Sequence, residues 1–236
     1  MTDGLAPTIK EHPPTIFHSR EQGKEESSET VQKAFAAYRE TLPEHRRVLL
    51  DRFKIMDVAI KVVGVGSVGT VCAIILLMAA EKDPLFLQVK QAGPSVLEAY
   101  AGKSTYENHG QRVVVGCHLM QSASDLFLGW TEGYLGRQFY LRQLKDMKIK
   151  PLVEIFIPSV MIRYAELCGW TLARAHARSG EPAKISGYMG RSSDKFDQAI
   201  ADFSIAYADQ GERDHAVLTN AVREGKLEVF IEPEEV

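Results

Sequence analysis

Apolar and polar positions alternate differently along the chain, and the changes divide it into a strand-rich middle with helical flanks. The stretch SREQGKEESSET (Ser19–Thr30) is polar and charged with nothing to bury, so residues 1–30 are predicted to be a mobile tail. Val31, Phe35 and Tyr38 recur at helical spacing, which predicts a helix from Thr30 to Thr41, interrupted by Pro43. Residues 44–54 carry Arg46, Arg47, Arg52 and Lys54, read as a solvated helix face with a local basic patch as the alternative.

From Asp57 to Leu144 the texture is strand-like. Val58–Val65 is rich in branched residues, a glycine cluster follows, and Val71–Ala80 is an unbroken apolar run. Asp83-Pro84 marks a turn, Leu85–Val89 a strand ending at Lys90, and Gly93-Pro94 its close. A helix is predicted over Glu107–Ser124, with Val113, Val114, Cys117 and Met120 on one face and Arg112 and His118 off it. Short strands follow at Leu126–Trp130 and Gln138–Leu144. Beyond them the pattern is helical. Met161, Tyr164, Cys168 and Leu172 form a stripe between Ser159 and Ser179, Gly180 and Pro182 stop it, and further helices are expected over Asp194–Asp209 and Arg213–Arg223. The fold class is α+β: an antiparallel sheet with a helix inserted after its third strand, then a helical segment. The expected organisation is a tail (1–30), a helical lead-in (31–56), a sheet domain (57–148), a helical segment (149–225) and an acidic tail (226–236).

Composition narrows the function classes. With 28 basic and 31 acidic residues the net charge is −3, which gives no electrostatic case for nucleic acid or an anionic membrane surface. Cys72, Cys117 and Cys168 lie too far apart for any CxxC pair, so reduced thiols in a cytoplasm are expected. None of the seven histidines pairs at metal-ligand spacing, and no zinc is expected. The uncharged run Val62–Ala80 reaches the length of a membrane span, but Gly64, Gly66, Ser67 and Gly69 break its first half, and a buried strand is the favoured reading.

Gly64-Val65-Gly66-Ser67-Val68-Gly69-Thr70-Val71 satisfies GxGxxGxV. In a dinucleotide-binding domain such glycines join a parallel strand to a helix; in a kinase-like fold they join two antiparallel strands and cover the nucleotide phosphates. The residues after Gly69 are β-branched and lack a helical period, which favours the hairpin. Lys90 then ends an apolar strand 21 residues beyond Gly69, placed to meet the α- and β-phosphates, with Glu98 or Glu107 as the carboxylate that would hold it. A lysine merely snorkelling from a strand end is the plainer reading.

KVVGVGSVGT (61–70), DPLFLQVKQA (83–92), the stretch from Asn108 to Trp130, RQLKDMK (142–148) and CGWTLARAHARSG (168–180) together resemble the bacterial domain-of-unknown-function family 2252, over roughly Asp57–Asp214. That resemblance implies a protein-kinase-like fold with a sheet like the kinase N-lobe. It makes Gly64, Gly66, Gly69 and Lys90 the nucleotide-binding loop and its lysine, with ATP as the expected ligand. Gln91 stands where relatives commonly carry an acid. The earlier GDxHxxN-like catalytic loop and DxND-like metal motif of the family are not found in this sequence, where only about 56 residues precede Asp57. The chain is therefore expected to correspond to the C-terminal half of that architecture and to be inactive as a kinase alone. Magnesium would then matter only if a companion chain supplied the catalytic groups. Asp202-Phe203-Ser204 is the nearest imitation of a metal motif and reads as part of a core helix.

Weaker candidates for phosphate or substrate contact are Arg142 and Asp146 after the last strand, and Arg174, His176 and Arg178 near a helix end, where complementing the helix dipole is the simpler account. Cys117 reads as core rather than nucleophile. The expectation is a cytoplasmic nucleotide-binding protein without nucleic-acid or membrane partners. A noncatalytic interaction module or truncated remnant is the alternative, and a dinucleotide-binding oxidoreductase or single-span membrane protein is less favoured.

Overall fold

The branched and apolar runs pair into one antiparallel sheet of six strands, in a computed structural model that describes residues 6–18, 24–64, 69–145, 147, 149–190 and 194–229, without the side chains of 24–28 and 134. Its strands are β1 (Ile16–Phe17), β2 (Lys54–Lys61), β3 (Cys72–Met78), β4 (Pro84–Ala92), β5 (Gly129–Glu132) and β6 (Gln138–Gln143), in the order β1-β2-β3-β4-β6-β5. Every neighbouring pair is antiparallel.

Both faces of the sheet are covered where β3 lies, and six of its seven residues are buried. This is why Val71–Ala80 reads as a continuous apolar run rather than an alternating one. The run is a strand, not a helix, which overturns the membrane-span reading; among the described residues no helix is long and apolar enough to cross a membrane. A dinucleotide-binding domain would lead its glycines into a helix, whereas here the described chain after Gly69 leads into β3.

On the first face Ile75, Leu77, Leu85, Leu87 and Leu141 pack against Tyr38, Leu42 and Leu50. These come from helices α1 (Lys24–Glu40) and α2 (Glu44–Leu50). Tyr38 is fully buried and its hydroxyl donates to the Phe127 carbonyl at 2.6 Å, so the ring's polar tip is satisfied inside the core. Arg47 spans back to the Glu40 carboxylate at 2.7 Å and Arg39 to Asp51 at 2.6 Å, so of the alternative basic patch Arg47 is locally neutralised.

On the second face Ile74, Leu76 and Ala59 pack against Ile9. The predicted mobile tail is therefore wrong for residues 6–18. These include β1, and α1 starts at Lys24, ahead of the Thr30 expected from apolar spacing. Polar composition hid the strand, because a two-residue strand draws its order from partners remote in sequence.

Between β4 and β5 lie a four-residue helix, α3 (Glu98–Ala101), and α4 (His109–Met120), which is shorter at both ends than the span predicted. Asn108 caps α4, its side-chain oxygen accepting the Gln111 amide at 3.0 Å. Gly110 lets the first turn of α4 sit directly on β6: a Cβ there would collide with the Phe139 carbonyl oxygen. α5 (Pro158–Ser179) follows the sheet.

The chain forms two compact units, Met1–Ser179 and Gly180–Val236. The second contains α6 (Pro182–Met189) and α7 (Asp194–Arg223), joined by an edge-on contact of Tyr188 and Phe196 at 6.5 Å between ring centroids. The two helices expected over 194–223 are one. Gln210 reaches Asp214 at 2.7 Å and Arg213 reaches Gln210 at 2.9 Å, so side-chain bonds span Gly211 and carry the helix through it.

Candidate functional site

Strand register sorts the chemistry-bearing residues onto the second face of the sheet. Cys72, Lys90, Tyr140 and Trp130 are successive cross-strand partners on β3, β4, β6 and β5, forming one rung. Ala59, Ile74, Gln88 and Arg142 form the next rung, one step further from the glycine loop. Because side chains alternate along a strand, the two rungs share a face.

Three side chains of these rungs, Arg142, Gln88 and Cys72, are connected. Arg142 donates to the Gln88 side-chain oxygen through Nε at 3.3 Å and Nη2 at 3.1 Å, while Gln88 Nε2 points at Cys72 Sγ at 3.7 Å. Gln88 is buried, so it is the fixed member that orients Arg142. Burial pushes the Cys72 thiol above its ordinary range, while the Gln88 hydrogen bond and then the charges of Lys90, Lys61 and Arg142 act in the opposite sense. Tyr140 is raised too, chiefly by burial, with Arg142 opposing. Three cations thus act on one thiol, and among the described residues none of them forms an ion pair. Such a cluster favours an anion.

The glycine loop enters at the same end. Gly64 follows β2 and Gly69 precedes β3, so the loop joins two antiparallel strands as the hairpin reading requires. Gly69 sits at φ +81°, a backbone region costly for any other residue type at this turn. Gly66 and Ser67 lie outside the described residues, as does Asp146. Gln91 accepts the Val71 amide through Oε1 at 3.0 Å and ties β4 to the end of the loop.

Glu98 is not brought to Lys90. It belongs to α3, where its carboxylate accepts the Ser95 amide at 3.3 Å. α4, which packs on the sheet near Lys90, contains no acidic residue, and Glu107 precedes its cap. Among the described residues Lys90 therefore pairs with neither of the carboxylates expected to hold it.

Beside Arg142 a cleft of 620 Å³ opens between the end of α4 and the end of β6, lined also by Cys117, Gln121, Ser124 and Lys145. Cys117 is half-buried on this wall rather than in the core, and burial pushes its thiol up. A second cleft of 360 Å³ shares Cys117, Gln121 and Ala123 with it and is closed on the far side by Trp170, Arg174 and Arg178 of α5. Here the expected phosphate contacts have other partners. Arg178 donates to the Leu119 carbonyl at 3.1 Å, capping α4 rather than its own helix. Arg174 lies over the Trp170 ring at 4.6 Å, and His176 is exposed. Asp202 accepts from Gln198 at 2.7 Å within α7, and Phe203 is exposed and stacked on Tyr207, so that tripeptide is not core.

Sequence reading reached Gly64, Gly69, Lys90 and Arg142 but missed Gln88, Cys72, Tyr140 and Lys61. Alternation along the predicted strand signals Gln88 beside Lys90, whereas Cys72, Tyr140 and Lys61 lie on other strands and are gathered only by the pairing register.

The fold defines an α+β protein built on one antiparallel sheet, with a cation-lined face at its glycine-loop end. Residues 2–221 match the family described as an uncharacterized protein conserved in bacteria (DUF2252), and the chain belongs to that family. The match takes in most of the chain, the N-terminal helices included, rather than only Asp57–Asp214. No curated protein and no solved structure matches the chain.

Proposed function

We propose that this chain binds a nucleotide of the ATP class on the second face of the sheet and has no phosphotransferase activity by itself. The observation that carries the reading is the register that puts Lys90 opposite Cys72, the first residue of β3 beyond the glycine hairpin. Lys90 and the described ends of the loop, Gly64 and Gly69, thereby lie at one end of the sheet. Lys61 and Arg142 add positive charge there, matched to a polyphosphate. The order of parts, a glycine hairpin, a lysine strand, a helix and two more strands, is the order a kinase-like nucleotide lobe needs.

Lys90 without an ion-paired carboxylate among the described residues, and a sequence without the catalytic-loop and metal motifs, support binding rather than turnover. Magnesium and phosphoryl transfer would then depend on groups from a companion chain, and the protein would work in a cytoplasm with its thiols reduced. The test is a Mg-ATP titration of the full chain by calorimetry, with Lys90→Ala beside it. Saturable binding that weakens at least tenfold in the variant is expected. Binding unaffected by the substitution, or none by folded wild type, overturns the site.

The alternative is a noncatalytic interaction module. It is favoured by α5, which leaves Leu167, Trp170 and Leu172 more than half exposed, and by α7, which does the same with Phe203 and Tyr207. Absence of nucleotide binding by a folded chain would turn attention to these helices.

A further inference from the structure

Residues 6–18 join the edge of the sheet through β1 and reach its second face at Ile9. Ile9 is the one core residue of this arm, 8% exposed against Ala59, Ile74 and Leu76. The strand it contributes is two residues long. Polar groups complete the attachment: the Ile9 amide donates to Asp57 Oδ2 at 2.6 Å, and the Val62 amide to the Thr15 carbonyl at 2.8 Å. His18 bridges the arm to the sheet, its Nδ1 2.7 Å from Glu11 Oε1 and its Nε2 3.0 Å from Asp57 Oδ2.

We propose that residues 6–18 form a releasable cover on the face that bears Lys90 and Arg142, latched by the Glu11–His18–Asp57 bridge. Ala59 and Ile74, the residues the arm covers, stand in the same rung as Gln88 and Arg142, so releasing it widens that face by an apolar strip.

The latch works through proton count. An imidazolium donates from both ring nitrogens and satisfies both carboxylates; a neutral ring donates from one and turns a lone pair on the other. Among the described residues the charged groups facing the ring are Glu11 from the arm and Asp57 from β2. The Asp57 hydrogen bond, then that of Glu11, raise the His18 pKa against the opposing effect of burial. A raised folded-state pKa means the latch contributes fully below the ordinary histidine value, roughly 6.5, and is lost as pH rises through the folded one. The cover therefore closes in mild acid and loosens towards alkaline pH.

The inference stands apart from the nucleotide reading, because the arm can be followed without ligand. Hydrogen exchange of the full chain, corrected for intrinsic rates, should show protection at the Ile9 and Val62 amides falling at least tenfold from pH 5.5 to 8.5. Amides of β3 and β4 should keep theirs. His18→Gln should be weakly protected at both pH values, and Glu11→Gln should show a smaller change than wild type. Equal protection at both pH values in wild type, or an unaltered pH response in His18→Gln, overturns the latch. Mg-ATP titrations at the two pH values then read the consequence: binding tighter at pH 8.5 in wild type by more than in His18→Gln shows that the cover restricts the nucleotide face. Binding at neither pH, with the exchange result intact, removes the nucleotide reading alone.

Discussion

Two glycines on α4 are predicted to respond to the same substitution with opposite sign. Gly116 has no atom within 4 Å of where a Cβ would be built, whereas at Gly110 the Cβ would meet the Phe139 carbonyl oxygen, with the Phe139 carbonyl carbon at 2.8 Å. Replacing a helical glycine by alanine removes backbone freedom from the unfolded chain, a gain of about 0.5–1 kcal/mol. Gly116→Ala should show that gain. At Gly110 the same gain is offset by overpacking, about 1–3 kcal/mol. The obstacle is backbone, held in the β4–β6 and β5–β6 ladders, so no side chain can rotate away. The net runs from about zero to a loss of about 2.5 kcal/mol, and a backbone obstacle puts it in the upper part of that range, a loss of about 1–2 kcal/mol. For a chain of this size each kcal/mol moves the melting temperature by about 2–4 °C. Thermal unfolding followed by circular dichroism should therefore rise by about 1–4 °C for Gly116→Ala and fall by about 2–8 °C for Gly110→Ala. The contrast depends on α4 sitting directly on β6, the contact that also forms the wall beside Arg142. If both variants stabilise the chain, helix and strand are further apart than described and the cleft is misdrawn.

Other outcomes test the core and the helix start. Tyr38→Phe leaves the Phe127 carbonyl without its buried partner and should cost about 1–3 kcal/mol in urea unfolding, with the slope unchanged. Asn108→Ala removes the oxygen that caps α4 and should cost about 1 kcal/mol, while Asn108→Asp should retain most of the stability. No loss in the alanine variant would argue that the first turn of α4 is held by the Gln138 side chain, which accepts the His109 amide at 2.8 Å.

Much of the architecture was legible in local pattern. The uncharged run after Gly69 announced a strand because branched residues without a 3.6 period pack on a pleated surface, and β3 is that strand. The spacing of Val31, Phe35 and Tyr38 marked α1, and Gly180 with Pro182 ended α5 where the structure ends it. Polar segments were harder. Nothing in the composition of residues 6–18 signals order, because Ile9, His18 and the short β1 are held by Ala59, Asp57 and Lys61, about forty residues or more away in sequence. Two helices are expected over 194–223, yet side-chain pairs on either side of Gly211 accompany one unbroken α7.

The amino-acid sequence by itself determined the family, the α+β class and the glycine hairpin followed by a lysine strand, since each is written in periodicity or in contiguous motifs. Tertiary structure alone decided which groups meet. Alternation puts Gln88 and Lys90 on one face and Gln91 on the other, but only the ladder register sets Cys72, Tyr140 and Arg142 beside them. It also decided that Glu98 serves its own turn, that Arg178 caps α4, and that the arm lies over the sheet. The physical reason is the same in each case: a side chain's partner is chosen by strand pairing and helix docking, which depend on the packing of the whole chain rather than on its neighbours in sequence.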